Sequence, residues 1–480
     1  MKRLAALNAR ITALVALYGP RFLPFADAAT PELPLPRLLR LSLFQVSVGM
    51  AVVLLLGTLN RVMIVELHVP AWLVAVMISL PLVFAPFRAL VGFRSDTHRS
   101  ALGWRRVPYL WFGTLLQFGG LCIMPFALLV LSSRLHGAGA VVGQLGAAMA
   151  FLLVGAGLHT VQTTGLALAT DLAPPASQPR VVALLCMMLL LGMVSSALLF
   201  GIVLAHFTPA KLIQVVQAAA LATMALNLAA LWRQEARRPA QTATDRPAPL
   251  FAEAWADFRR QHRAVRRLVA LALGTIGFSM QDVLLEPYGG QVLHLPVGAT
   301  TGLTAGLAIG GLCGFALAAR ALGRGADPYR FSALGTLAGL AAFAAVLAAA
   351  PLGSALVFAG GVMLIGFGAG LFAHCTLTAA MAMAQPGRVG LALGIWGAVQ
   401  ASAAGSAAAL GGLIRDVVPA LSAQHWIGPA FAAPAAGYAV VYALEVVLLL
   451  LTLLAVVPLA GVMRAARLSP VAPLTGVRVR

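Results

Sequence analysis

The chain has 480 residues, of which 61% are hydrophobic and only 10% charged, so it lacks the polar surface that a soluble protein of this length needs. Its formal net charge of +19 would indicate nucleic-acid binding if the basic residues shared one polar face, but the arginines stand in short connections between apolar runs. Composition thus excludes a soluble domain, argues against a nucleic-acid partner and predicts an all-α polytopic membrane protein.

Residues 1–41 are predicted to form a cytoplasmic N-terminal segment. Its apolar residues recur at helical spacing from Leu4 to Tyr18, with Lys2, Arg3 and Arg10 alongside. This pattern is typical of a helix that lies on a membrane surface. Because Arg10 interrupts the apolar region early, a cleaved signal peptide is not predicted.

Twelve apolar runs follow, and each is long enough to cross a hydrocarbon core of about 30 Å as a helix. They are predicted at 42–66, 71–93, 107–132, 140–170, 180–205, 210–232, 267–287, 297–319, 329–350, 353–384, 388–414 and 435–463. The first six define an N-terminal bundle, 42–233, and the last six a C-terminal bundle, 267–463. A cytoplasmic linker, 234–266, joins them, and a basic tail, 464–480, ends the chain.

The basic residues are concentrated in every second connection, as expected if twelve spans place the connections alternately inside and outside. Only Arg134, Lys211 and Arg415 fall in the connections assigned to the outside, and the other connections hold the remaining loop arginines. Cytoplasmic connections of membrane proteins carry an excess of Lys and Arg. The distribution therefore predicts that both termini are cytoplasmic.

The connection between the second and third spans carries a recognisable pattern of glycines and charges. It consists of Gly92, Asp96, Arg99, Gly103, Arg105 and Arg106. The pattern resembles the cytoplasmic signature loop of major facilitator transporters, with residues inserted after Asp96. That resemblance implies close helix packing at the glycine and a charge latch between helix ends. The alternative is that the loop is basic only because it is cytoplasmic.

The two halves of the chain repeat short motifs in the same order. Leu67-His-Val-Pro70 recurs as Leu293-His-Leu-Pro296, and Gly155-Ala-Gly-Leu158 recurs as Gly368-Ala-Gly-Leu371. Ordered internal repeats are typical of transporters built from duplicated bundles. The fold class predicted is therefore twelve transmembrane helices in two six-helix repeats, of major facilitator type.

The linker has two parts. Residues 236–248 are as consistent with a flexible connection as with ordered structure. In the following segment Leu250, Phe251, Ala254, Trp255 and Phe258 share one helical face, opposite to charged residues. This amphipathic pattern predicts a second interfacial helix.

Four charged residues near the outer ends of the first and seventh spans form a candidate charge pair or gate. They are Arg61, Glu66, Asp282 and Glu286. The repeat places Arg61 and Asp282 at equivalent positions with opposite charge, and charged groups inside a bilayer are costly and usually functional. An ion pair that holds the two halves together explains these charges at least as well as contact with a substrate does. A proton relay at Asp282 or Glu286 is a further alternative.

His159 and His374 lie in glycine-rich stretches of the fourth and tenth spans. Neutral imidazole is a common metal ligand, and neighbouring glycines leave room for a flat macrocycle, so the pair permits tetrapyrrole binding. The alternative is a packing role, because a lone histidine inside a membrane is more often a hydrogen-bonded packing residue than a ligand. Gln162 and Gln281 are further candidates for contact with a polar ring substituent, or they bond neighbouring helices.

Four longer motifs carry a closer resemblance. They are Gly57 to Glu66, Pro86 to Asp96, His159 to Asp171 and Gln281 to Gly290. These motifs resemble the PucC/LhaA family, the bacteriochlorophyll delivery branch of the major facilitators, over about residues 19–467. The resemblance implies an assembly factor for light-harvesting antennae, and the LhaA type, which serves the core antenna, is favoured over PucC.

The resemblance also implies a cargo and partners. The expected cargo is bacteriochlorophyll, with a precursor or a carotenoid as alternatives, and the expected partners are antenna polypeptides, the pigment-synthesis machinery and membrane lipids. The implied location is the bacterial inner, intracytoplasmic photosynthetic membrane. Export of another hydrophobic molecule is the alternative. An enzyme is not expected, because the aspartates are too scattered to hold a magnesium diphosphate.

Overall fold

In the computed structural model every regular element among the described residues is a helix, and no strand occurs among them. Those residues are 33–59, 62–63, 71–99, 102–132, 138–175, 177–204, 208–237, 250–261, 263–295, 297–384, 388–426, 428–429 and 433–461. The predicted surface helix near Leu4 to Tyr18 lies outside them.

The described residues of the first half contain seven α-helices. They are α1 (Leu35–Val53), α2 (Ala71–Val83), α3 (Arg88–Asp96), α4 (Val107–Ser132), α5 (Ala138–Leu172), α6 (Gln178–Val203) and α7 (Pro209–Leu231). A π-helical turn, Leu54–Thr58, extends α1, and a 3₁₀ turn, Ala85–Phe87, joins α2 to α3.

The parts of the linker and of the second half that the structure describes contain eight more. They are α8 (Phe251–Arg260), α9 (Ala264–Ser279), α10 (Leu285–Gln291), α11 (Val297–Gly323), α12 (Pro328–Ala349), α13 (Ala355–Ala382), α14 (Val389–Ala423) and α15 (Pro434–Val456). The 3₁₀ turns Met280–Val283 and Val457–Leu459 follow α9 and α15.

Within the described part of the chain, 11 helices are long and apolar enough to cross a membrane. The predicted seventh span, 267–287, is not one continuous helix, since α9 ends at Ser279 and a 3₁₀ turn precedes α10. The predicted first span also begins too late. α1 starts at Leu35 because Pro34 precedes it in an extended conformation and Pro36 occupies its first turn, where proline costs no hydrogen bond.

Equivalent helices pack alike in the two halves. α4 packs along α5 and α7 in the first half, as α12 packs along α13 and α15 in the second. The halves meet along two lines of contact. In the first, called the α3–α14 seam, α3 and α5 contact α14; in the second, called the α6–α11 seam, α6 contacts α11 and α13.

Glycines bring the backbones of α3 and α14 into direct contact. A Cβ atom at Gly92 would overlap the carbonyl oxygen of Gly390, and one at Gly394 would overlap that of Arg88. Such close approach requires residues without side chains. The seam is therefore formed by main-chain packing, as the signature loop predicts for Gly92.

The amphipathic segment of the linker forms α8, and its apolar face contacts protein. Ala254 is fully buried, and Phe251, Trp255 and Phe258 pack against a cluster that contains Phe93 of α3 and Leu391 of α14. Asp257 of α8 also accepts a hydrogen bond from Arg388 at 2.9 Å. α8 thus covers the α3–α14 seam at the end of the bundle where α14 begins, which is called the basic end below.

Candidate functional site

Asp96 joins the two halves at the basic end. Its two carboxylate oxygens accept hydrogen bonds from the backbone N–H groups of Gly390, at 2.9 Å, and Leu391, at 2.7 Å, in the first turn of α14. The first N–H groups of a helix have no partner within it and carry a partial positive charge. A carboxylate of the first half thus caps a helix of the second.

Arg106, at the start of α4, holds that carboxylate in place. Its side chain is fully buried, pairs with Asp96 at 2.5 Å and with Asp171 at 3.0 Å, and donates to Ser95 at 2.6 Å. Burial lowers the pKa of the guanidinium, but Asp96 and Asp171 outweigh that effect and place the pKa above its ordinary value. Arg106 is therefore a permanent cation between two carboxylates.

Arg105 and Glu235 complete this network. Arg105 pairs with Asp171 at 2.9 Å. Glu235, just beyond α7, accepts hydrogen bonds from the backbone N–H groups of Arg105, Arg106 and Val107, which lie at the N-terminus of α4. The linker thereby fixes the start of the helix that carries the central arginine.

The other two residues of the signature loop, Arg99 and Gly103, lie in the connection before α4. Gly103 has a φ of 82°, in the left-handed region that glycine adopts readily. Gly92, Asp96, Arg105 and Arg106 thus take part in the predicted latch. Asp171 and Glu235 were missed, although each is an acidic residue at the same end of a predicted span.

Arg88 is a third residue that sequence reasoning missed. It is 2% exposed, its Nε donates to Thr163 Oγ1 of α5 at 2.9 Å, and its guanidinium packs against Gly397 of α14. One terminal nitrogen, Nη2, has no hydrogen-bond partner among the described residues. An incompletely paired guanidinium thus lies inside the α3–α14 seam, and its position within a predicted span was the available signal.

His159 lies close to Arg88. It is 7% exposed on α5, its ring lies close to the Pro81 carbonyl, and Nδ1 has no partner within the described structure. Gln162, one turn further along α5, is half-buried. Both the packing and the ligand interpretations of His159 fit these contacts.

His374 has a different environment. It is fully buried on α13, and neither ring nitrogen has a hydrogen-bond partner among the described residues. The centroid of its ring lies 6.1 Å from that of Phe315 of α11. The Pro179 carbonyl of α6 is also close to the ring, but the two do not form a hydrogen bond. The two histidines therefore lie at different seams and are not brought together.

The glycines beside the histidines do not leave open space, which corrects the sequence argument. A Cβ atom at Gly155 would stand 2.5 Å from Pro81, and one at Gly368 would stand 2.6 Å from the carbonyl oxygen of Gly335. The space beside these glycines is filled by neighbouring helices. The glycines serve close packing of α5 against α2 and of α13 against α12.

Gln281 and Asp282 lie in the 3₁₀ turn after α9. Gln281 is 2% exposed and donates from its side chain to Asp282 Oδ1 at 2.6 Å, whereas Asp282 itself is exposed. Arg61 and Glu66 lie outside the described residues, as does the side chain of Glu286. The predicted Arg61–Asp282 pair stays a prediction.

An apolar pocket opens beneath α8 in the second half. Its cavity volume is about 50 Å³, and it is partly open to the outside. Its polar lining includes Arg267, which donates to Gln261 at 3.2 Å, and Trp396, which donates to Thr376 at 3.4 Å. No group of three His, Cys, Asp or Glu side chains able to hold a metal ion occurs in the part of the chain that the structure describes.

Comparison with solved structures supports the fold. A bacterial homologue of the iron transporter ferroportin, crystallised in the outward-facing state, superposes with a TM-score of 0.69 at 16% identity, over 88% of this chain and 98% of that one. At this identity the likeness shows the fold alone. The predicted fold class, two helical bundles of major facilitator type, is confirmed.

Comparison of sequences shows the family. Protein PucC of Rhodovulum sulfidophilum is 62% identical over 84% of this chain and 90% of its own length. The bacteriochlorophyll synthase 44.5 kDa chain of Rhodobacter capsulatus is 30% identical over 80% of this chain and 88% of its own. A family model described as PUCC protein matches residues 58–463. The chain therefore belongs to the PUCC protein family.

Proposed function

We propose that this protein is an assembly factor for a bacterial light-harvesting antenna, which binds bacteriochlorophyll in the membrane and delivers it to antenna polypeptides. Family membership supports the proposal, as does the name of the relative that refers to bacteriochlorophyll. The partners would be antenna polypeptides, the pigment-synthesis machinery and membrane lipids. A precursor or a carotenoid is an alternative cargo.

The single observation that supports pigment binding is that neither ring nitrogen of His374 has a hydrogen-bond partner among the described residues. An imidazole with two unpaired nitrogens in an apolar seam would offer a lone pair to the magnesium of the pigment. Because His374 is fully buried, the pigment would reach it only when the α6–α11 seam separates. His159, with Nδ1 unpaired, is the second candidate ligand, and Gln162 and Gln281 would contact ring substituents.

The arginine distribution supports the proposed orientation. The latch at the basic end joins connections rich in arginine, which the positive-inside rule assigns to the cytoplasm. In the inner or intracytoplasmic membrane both termini would then be cytoplasmic. A bundle latched on that side is closed toward the cytoplasm.

Transport of another hydrophobic molecule is the second candidate function. The observation that favours it is the latch itself, because a closed basic end is one of the two states that alternating access requires. The pigment content of the purified protein distinguishes the two functions.

The test is an absorption spectrum of the protein purified in mild detergent from a phototrophic host. We expect a bound near-infrared pigment and co-purifying antenna polypeptides. His374→Leu should lose the pigment or shift its band to shorter wavelength without loss of folded protein, because leucine replaces an imidazole that makes no hydrogen bond. Antenna assembly in the host should fall in parallel.

A matched control is Thr378→Val, one helical turn away on α13, where a buried hydroxyl also lacks a partner. It should leave the pigment unchanged. A pigment-free wild-type protein would contradict the proposed cargo. An unchanged spectrum in the His159→Leu, His374→Leu double variant would remove both histidines as ligands. Strains that lack either the core or the peripheral antenna distinguish the favoured core recipient from the peripheral one.

A further inference from the structure

A fully buried carboxyl group lies beside the break in the seventh span. Glu445 of α15 has 0% exposure, and no cationic side chain lies within salt-bridge distance of it among the described residues. An ionised carboxylate in such a position is strongly disfavoured, because burial removes its hydration and no opposite charge replaces it. The surroundings therefore favour the neutral acid.

The break provides the hydrogen-bond partner of Glu445. Because α9 gives way to a 3₁₀ turn after Ser279, the backbone N–H of Gln281 leaves the helix and donates to Glu445 Oε1 at 2.8 Å. Gly411 of α14 allows this close packing, since a Cβ atom there would overlap the Met280 carbonyl oxygen. One oxygen of Glu445 is thus fixed by the main chain.

The other oxygen of Glu445 has no partner. Glu445 Oε2 is buried and lacks a hydrogen-bond partner within the described structure, as do Gln281 Oε1 and the Tyr442 hydroxyl. Tyr442 precedes Glu445 by three residues on α15 and so lies on the same helix face. A proton on Oε2 would remove the negative charge of a carboxyl group that has no cation to offset it.

Gln281 also connects the buried acid to an exposed one. Its backbone N–H contacts Glu445, and its side-chain amide donates to Asp282 Oδ1 at 2.6 Å. Asp282 is exposed, whereas Glu445 is not. One residue thus bridges a carboxyl group at the surface of the bundle and a carboxyl group buried inside it.

Other ionisable groups near Glu445 do not neutralise it. Tyr288 of α10, with Tyr438 and Tyr442 of α15, forms an aromatic cluster on this side. Arg415 of α14 pairs with Asp416, donates to Gln291 and lies over the ring of Tyr438. The side of α12 that packs here contributes the apolar residues Phe343 and Val346, and Asp282 adds only negative charge.

We propose that Glu445 and Asp282 form a proton-binding site, in which Glu445 holds a proton and Asp282 exchanges it with solvent. The ligand is a single proton, bound as the O–H of a neutral carboxylic acid. The site is separate from the latch and from both histidines, so it adds a proton-dependent step to the proposed function without requiring it.

The test is infrared spectroscopy of the full-length protein in lipid. The difference spectrum between wild type and Glu445→Gln should show the C=O band of a protonated carboxyl group at neutral pH. Glutamine is neutral and of equal size, and it still accepts from Gln281, so the variant should fold. The band should convert to a carboxylate signal at alkaline pH, and Glu445→Asp should retain a protonated band.

Exchange of the band after transfer to heavy water tests the role of Asp282. The half-time should lengthen in Asp282→Asn and stay unchanged in Asp416→Asn, whose side chain is 69% exposed. A carboxylate signal for Glu445 at neutral pH would overturn the proposal. Equal exchange half-times in wild type and Asp282→Asn would overturn the pathway through Asp282. Neither readout depends on pigment.

Discussion

The carboxylate of Asp96 accepts a hydrogen bond from the backbone N–H of Leu391 at 2.7 Å, although 295 positions separate the two residues in the chain. Asp96 ends α3 of the first half and Leu391 lies in the first turn of α14 of the second. The bond needs a negative charge on one half and a free helix N-terminus on the other. It therefore exists only while the basic end is closed.

Asp96→Asn should weaken the closed state by about 2 kcal/mol, because an amide can accept only one of the two backbone hydrogen bonds and carries no charge. Spin labels at Leu102→Cys and Arg324→Cys, on connections of different halves, would report the change after replacement of the native cysteines. We expect the distance distribution to shift to longer values. Asp416→Asn is the control, and an unchanged distribution in Asp96→Asn would contradict a latch.

Gly92→Ala should destabilise the α3–α14 seam by roughly 1–3 kcal/mol, because its Cβ meets a backbone carbonyl that cannot move aside. Gly119→Ala on α4 is the matched control. A Cβ there meets nothing within 4 Å, and alanine favours a helix over glycine by about 1 kcal/mol. Melting temperatures in detergent should fall for the first variant and stay equal or rise for the second. Equal melting temperatures of the two variants would show that the seam has room for a Cβ atom at Gly92.

Arg88→Met should leave stability within about 1 kcal/mol of wild type, because apolar residues of similar size often replace buried charges without loss. It should nevertheless reduce antenna assembly in the host, since intramembrane cations that lack a full set of partners are generally kept for function. Melting temperature and antenna absorption measure the two effects. Normal assembly in Arg88→Met would assign the residue to packing alone.

Arg61 and Asp282 are expected to interact across the two halves, since an unpaired charge within the bilayer costs roughly 2.5–3.5 kcal/mol on insertion scales. Asp282→Asn should lower the folded yield, and adding Arg61→Gln should restore part of the loss. Yield after size-exclusion chromatography is the measurement. Strictly additive losses in the double variant would count against the pair.

Residue periodicity and charge determined much of this protein before any fold was known. Apolar runs of about 20 residues must cross a membrane as helices, because the bilayer offers no partner for backbone polar groups. The same local physics predicted α8 from Phe251 and Trp255, and the signature pattern predicted Asp96 as a latch residue. Family motifs identified the relatives, since those motifs are contiguous in the chain.

Tertiary structure decided everything that depends on which helices meet. The glycines beside His159 and His374 pack neighbouring backbones, and only the packed bundle shows that those spaces are filled. Glu445 was indistinguishable in sequence from any charge in an apolar run. It became a candidate site because the seventh span breaks at Gln281, whose backbone N–H leaves the helix and donates to Glu445. That hydrogen bond joins residues 164 positions apart, and local sequence patterns do not encode such contacts.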